Sequence, residues 1–269
     1  MIFRCGLRVA LCPVPFHTTM RSSNPMLARF ADAARASVSG SRSDTMTVSG
    51  TATKSLILLA VLSFSASLVW QKVATGRTDM VMPAMLVGGI GGFIFALITI
   101  FKPQLAPWTA PIYAALQGIL LGAISALYNL QYAGLPQQAV MLTVAVAGGV
   151  FALYHFRVIR ATEGFKRMMF SAMLGIMLFY LGSMVLRLFG VNIGYFTSNG
   201  PLAIGINLVI AAVAAFSLVL DFDRIEEGVR MGAPKSMEWF SAFGLMVTLI
   251  WLYLELLRLL SRLQGRSDD

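Results

Sequence analysis

Seven long apolar stretches fill the chain between Ser55 and Leu260, and almost every charged residue falls between them. Each stretch is near the ~20 residues with which a helix crosses ~30 Å of hydrocarbon. A backbone in hydrocarbon must satisfy its own hydrogen bonds, which leaves helices or a closed barrel. The stretches are apolar all round rather than alternating with period two, which argues against a barrel. Of 269 residues, 57% are hydrophobic and 12% charged, about half the charged share of a soluble domain. The chain reads as an all-α polytopic membrane protein.

The expected spans are Ser55–Trp70, Met80–Phe101, Thr109–Tyr128, Ala139–Phe156, Met168–Phe189, Pro201–Leu220 and one within Glu238–Leu260. Residues 1–54 read as a basic, disordered cytoplasmic tail, 55–263 as the seven-helix domain and 264–269 as a short polar tail. Pro13 and Pro15 break the only short apolar run near the start, unlike a signal peptide. Residues 1–19 read as a start-site extension, with Met20 the working start. An Arg-rich transit peptide, and with it a mitochondrial inner membrane, is the alternative.

The net charge of +9 is explained by topology. With the N-terminus inside, 15 of the 21 Lys and Arg residues lie on the inner side, which favours N-in and C-out in a cell inner membrane. No basic and aromatic groove pattern points to nucleic acid. Cys5 and Cys12 lie in the tail, and His17 and His155 are too few and too distant for a zinc site. Span seven holds no lysine for a retinal Schiff base. Neither a metal, a cofactor nor catalytic residues are expected, and the chain is not read as an enzyme. Its expected surroundings are the lipid bilayer, calcium or another cation, and a membrane-protein partner.

Charge within hydrocarbon costs on the order of 2.5–3.5 kcal/mol, so ionisable residues in spans mark the places to seek function. Asp221 ends span six. It reads either as an interfacial carboxylate or as a gate whose charge changes with protonation, since burial favours the neutral acid. Glu255 sits inside span seven, three residues before Arg258 on one helix face. A structural ion pair with Arg258 or Arg187 and a role in permeation are the two readings. Gln117, in the middle of span three, is either an interhelical hydrogen-bonding amide or a pathway residue. Asp223–Gly228 lacks calcium-hand spacing and reads as a solvated extension of helix six, with Glu226 and Arg230 in the favourable i,i+4 order. Gly88 with Gly92 and Gly118 with Gly122 have the spacing of close helix contacts, expected within the bundle rather than between copies.

The stretches PIYAALQGILLGAISALYN and LVLDFDRIEEGVRMGAPKSMEWFSAFGLMVTLIWLYLELLRLL resemble the Bax inhibitor-1 family, the transmembrane Bax-inhibitor-motif proteins. The leaders MRSSNPMLARF and MTVSGTATKS are similar to those of a bacterial branch. The resemblance spans about Met20–Leu263. It implies six helices around a central seventh and a pH-sensitive calcium leak gated by two aspartates, one ending span six and one in span seven. Asp221 matches the first. The word LYLE resembles the family's LYLD and points to Glu255 for the second. Spacing points elsewhere: an antiparallel partner of Asp221 across the Gly232–Pro234 turn falls near Thr248 or Gly244, with Glu255 roughly 10–15 Å further along. With Thr248 in that place the second acid is absent. Gln117 stands where many relatives carry a glutamate. The expected function is a proton-modulated passive cation leak. The alternative is a non-conducting regulator that binds a membrane protease or another stress-response partner.

Overall fold

The computed structural model describes residues 45–190 and 200–267. Expectations on residues 1–19, the rest of the tail to residue 44 and the last two residues lie outside these. Among the described residues there is no strand, and seven helices are long and apolar enough to cross a membrane. They are α1 (Val48–Ala74), α2 (Val81–Phe101), α3 (Ala106–Gln131), α4 (Leu135–His155), α5 (Glu163–Leu188), α6 (Pro201–Arg230) and α7 (Ser236–Ser267).

Three boundaries differ most from the sequence reading. Helix α1 begins at Val48, not Ser55, because Thr47 caps it: the Thr47 hydroxyl accepts from the Gly50 amide at 3.0 Å. A Ser, Thr or Asp cap satisfies amides that the first turn leaves unpaired. Helix α6 runs on past Leu220 to Arg230, so Asp221 lies within a helix rather than at its end. Helix α7 continues to Ser267, through the stretch assigned to a polar tail. Pro103 and Pro136 open the turns into α3 and α4, where a missing amide costs nothing.

Helix α7 packs against α1, α3, α4 and α6, while α2 packs mainly on α3. One apolar core joins Leu58 of α1, Tyr113 and Leu121 of α3, and Phe243, Met246 and Ile250 of α7. A second joins Val150 of α4, Ala214 and Leu218 of α6, and Leu252 and Leu256 of α7. The outward faces carry Leu56, Phe64, Met141 and Leu202, all exposed, as lipid-facing side chains should be.

The glycine pairs belong to these contacts. A Cβ at Gly88 would lie 2.7 Å from the Leu116 carbonyl oxygen, and one at Gly122 would lie 2.5 Å from that of Ala66. The first pair thus seats α2 on α3, and the second seats α3 on α1. In hydrocarbon such close backbone approach supplies much of the helix attraction.

Candidate functional site

The sharp reversal at Gly232, whose φ of 66° suits a residue without Cβ, joins α6 to α7. The two helices run back antiparallel, and this brings Thr248 beside Asp221. The Thr248 hydroxyl is the polar side-chain group of α7 that faces the carboxylate, without a hydrogen bond between them. It donates to the Gly244 carbonyl of its own helix at 3.3 Å. Asp221 Oδ2 is buried without a hydrogen-bond partner, and the Asp221 side chain is 12% exposed. Oδ1 lies 3.9 Å from Nη1 of Arg224, whose side chain is 70% exposed. An exposed partner at that distance contributes little.

Asp221 faces a cavity of about 300 Å³, lined also by Glu227, Gly228, Phe240 and Gly244. Met46 closes one side of it. This residue precedes α1, is 2% exposed and sets its sulfur against Gly228. The segment is tied down along its length. Thr45 bridges to Pro234, and the Met46 amide donates to the Ala233 carbonyl at 2.7 Å. The Thr47 amide and hydroxyl both donate to Glu238 Oε1, at 2.9 and 3.0 Å. Glu238 is fully buried and pairs through Oε2 with Lys54. The sequence reading placed Met46, Thr47 and Lys54 in a disordered tail, and it used Glu238 only as a span edge. An acid in the first turn of a helix is common for reasons of helix dipole alone, which hid its role.

Glu255 lies in a separate place. It is 2% exposed, and four side chains converge on it. Tyr180 Oη of α5 donates to Oε1 at 2.8 Å, and Asn207 Nδ2 of α6 to Oε2 at 2.8 Å. Trp251 Nε1 donates at 3.3 Å, and Arg258 Nη1 lies 3.1 Å from both oxygens. Tyr180 Oη in turn accepts from Arg258 at 2.8 Å, which orients its proton towards Glu255. Asn207 Oδ1 has no partner. Arg187 lies in the exposed last turn of α5. The i,i+3 spacing to Arg258 was readable from sequence. The roles of Tyr180, Asn207 and Trp251 were not, although a lone asparagine in the run PLAIGINLVI gives the same signal as Gln117.

Gln117 serves the α2–α3 contact, where a Cβ on Gly92 would lie 2.6 Å from its Nε2. In the expected extension of α6, Asp223 pairs with Lys166 at 2.8 Å. Glu226 accepts from Tyr154 Oη at 3.1 Å rather than pairing with Arg230. No group of His, Cys, Asp and Glu suited to a metal ion occurs among the described residues.

The description of the family model that matches residues 24–265 is Bax inhibitor 1 like. No curated protein and no solved structure matches the chain.

Proposed function

The chain belongs to the Bax inhibitor 1 like family, and from that premise and the Asp221 site we propose a passive, proton-modulated cation leak. The observation that carries this reading is a carboxylate 12% exposed, with one oxygen unpartnered, at a pocket that opens at the α6–α7 turn of a bundle of membrane-spanning helices. Ionisable groups are placed in such surroundings at a cost, and ion or proton pathways are where that cost recurs. A cation entering the cavity meets the 12% exposed edge of the Asp221 carboxylate, behind which Oδ2 is buried without a hydrogen-bond partner. Protonation of Asp221 removes that attraction, so occupancy of the cavity depends on pH. Calcium is the cation proposed, since hard divalent ions take carboxylate and carbonyl oxygens.

Thr248 offers a hydroxyl where a second acid would make a like-charge pair. Without that coupling the site titrates as a single group rather than in two macroscopic steps. The Met46 segment and the turn it grips lie at the mouth of the cavity, on the side proposed to face the cytoplasm. The leak is therefore closed at rest by side-chain packing rather than by an acid pair. Seven spans and the basic excess on the N-terminal side support a cytoplasmic N-terminus, with the C-terminus on the far side of an inner membrane.

The test is calcium flux into proteoliposomes of the full chain between pH 5 and pH 8. Wild type is expected to show a single-step pH response, and Asp221→Asn a flat one. Two responses would refute the reading: no flux above empty liposomes, the behaviour of a non-conducting regulator, or an unchanged pH response in Asp221→Asn.

A further inference from the structure

Helix α1 packs on α3 and α7, while α4 packs on α6 and α7, and α1 and α4 do not pack side by side. The space between them is a cleft of about 540 Å³ with Leu245 of α7 on its floor. That volume is in the range of ligand pockets. Its walls are apolar, built from Val48 and Ala52 of α1, Phe151 of α4 and Ile225 of α6. The hydroxyls of Thr51 and Ser55, which also line it, are both spent on backbone carbonyls four residues earlier, of Thr47 and Thr51, at 2.9 Å each. The one acid in the lining, Glu226, is held by Tyr154 Oη.

Arg157 and Arg160 line the mouth. Both are exposed, and among the described residues neither guanidinium is in an ion pair or hydrogen bond. Arg157 has a φ of 58°, a conformation rare outside glycine, where the chain leaves α4 and turns towards α5. The mouth lies where α1 begins and α4 ends. A helix end in a spanning bundle sits at headgroup depth.

We propose that this cleft binds an anionic phospholipid, one acyl chain entering between α1 and α4 and the headgroup phosphate resting on Arg157 and Arg160. Three features select that occupant. The apolar walls give a free anion nothing to bind. The two unpaired arginines give a zwitterionic lipid no advantage. The cleft opens at headgroup depth between two spans, where a lipid enters from its own leaflet and a soluble ligand has to displace one. Basic pockets between spans are a recurrent headgroup site, and guanidinium forks match phosphate oxygens.

The experiment is lipid retention by the full-length protein, read by native mass spectrometry after extraction from vesicles of equal phosphatidylglycerol and phosphatidylcholine. Wild type is expected to retain phosphatidylglycerol with roughly thirtyfold preference, the order expected of two basic residues near an anionic surface. The exposed pair Arg157→Gln/Arg160→Gln should abolish the preference without touching the fold. Ala52→Trp, which fills the cleft from an exposed position on α1, should reduce retention of both lipids. Lys102→Gln, away from the cleft, should change nothing. Equal retention of the two lipids by wild type would overturn the proposal, as would a preference that survives the arginine substitutions. Loss of the preference in excess inorganic phosphate, with Ala52→Trp behaving as wild type, would assign the arginines to a free anion and overturn it too.

Discussion

Replacing Glu255 by Leu removes the acceptor on which Tyr180, Asn207, Trp251 and Arg258 converge. The size of the loss follows from what each donor then faces. Interhelical hydrogen bonds in membrane proteins average about 0.6 kcal/mol each, so Tyr180 and Asn207, the two donors from other helices, account for about 1.2 kcal/mol. Arg258 adds to this, because its side chain is only 29% exposed and it loses the carboxylate 3.1 Å away. Breaking a buried ion pair from one side costs roughly 3–5 kcal/mol, since the remaining charge stays in a low dielectric. A destabilisation of about 3 kcal/mol is therefore expected. The assay is unfolding of the purified protein in mixed micelles by titrated denaturing detergent, together with folded yield. The double variant Glu255→Leu/Arg258→Met separates charge from packing. Removing both charges should restore at least half the loss, because an apolar pair of similar volume has no ion to desolvate. Glu255→Leu unfolding at the wild-type midpoint would refute the reasoning, as would a double variant no more stable than the single one. A pH-dependent flux that disappears in a well-folded Glu255→Gln would show instead that Glu255 belongs to the conduction path.

Gly88→Ala and Gly122→Ala should each lower stability by roughly 1–3 kcal/mol in the same assay, the usual cost of overpacking. Gly89→Ala, with nothing within 4 Å of the added carbon, should be neutral or slightly stabilising. A uniform response across the three would mean that these glycines do not seat the helices. Met46→Ala should speed hydrogen exchange at the Met46 and Thr47 amides, which are bonded to Ala233 and Glu238, and raise calcium flux with the bundle still folded. Unchanged exchange would show that the side chain does not hold the segment in place.

The position of Thr248 beside Asp221 was reachable by counting. Once Gly232 marks the reversal, two antiparallel helices rising 1.5 Å per residue put residues equally far from the turn at the same height. The same count separated Glu255 from Asp221, against the similarity of one short word. Rotation about the helix axis was not reachable in that way. Asn207 and Tyr180 reach Glu255 only because α5 and α6 turn those faces towards α7, and each residue sits in a run apolar on every side. Nor could the sequence pair Glu238 with Lys54 and Thr47, which are remote in the chain and lie in a stretch that reads as polar tail.

By itself the sequence determined how many helices cross the bilayer, roughly where they lie and which residues are charged within them. Hydrocarbon thickness and the cost of unsatisfied backbone impose these on any chain of this composition. The tertiary structure decided which glycines meet which helix, what closes the Asp221 cavity and why a cleft remains between α1 and α4. The physical reason is that lipid is as apolar as the helix surfaces, so hydrophobicity does not select neighbours in a bilayer. Close packing and a few polar contacts select them, and these depend on the rotation and crossing of whole helices.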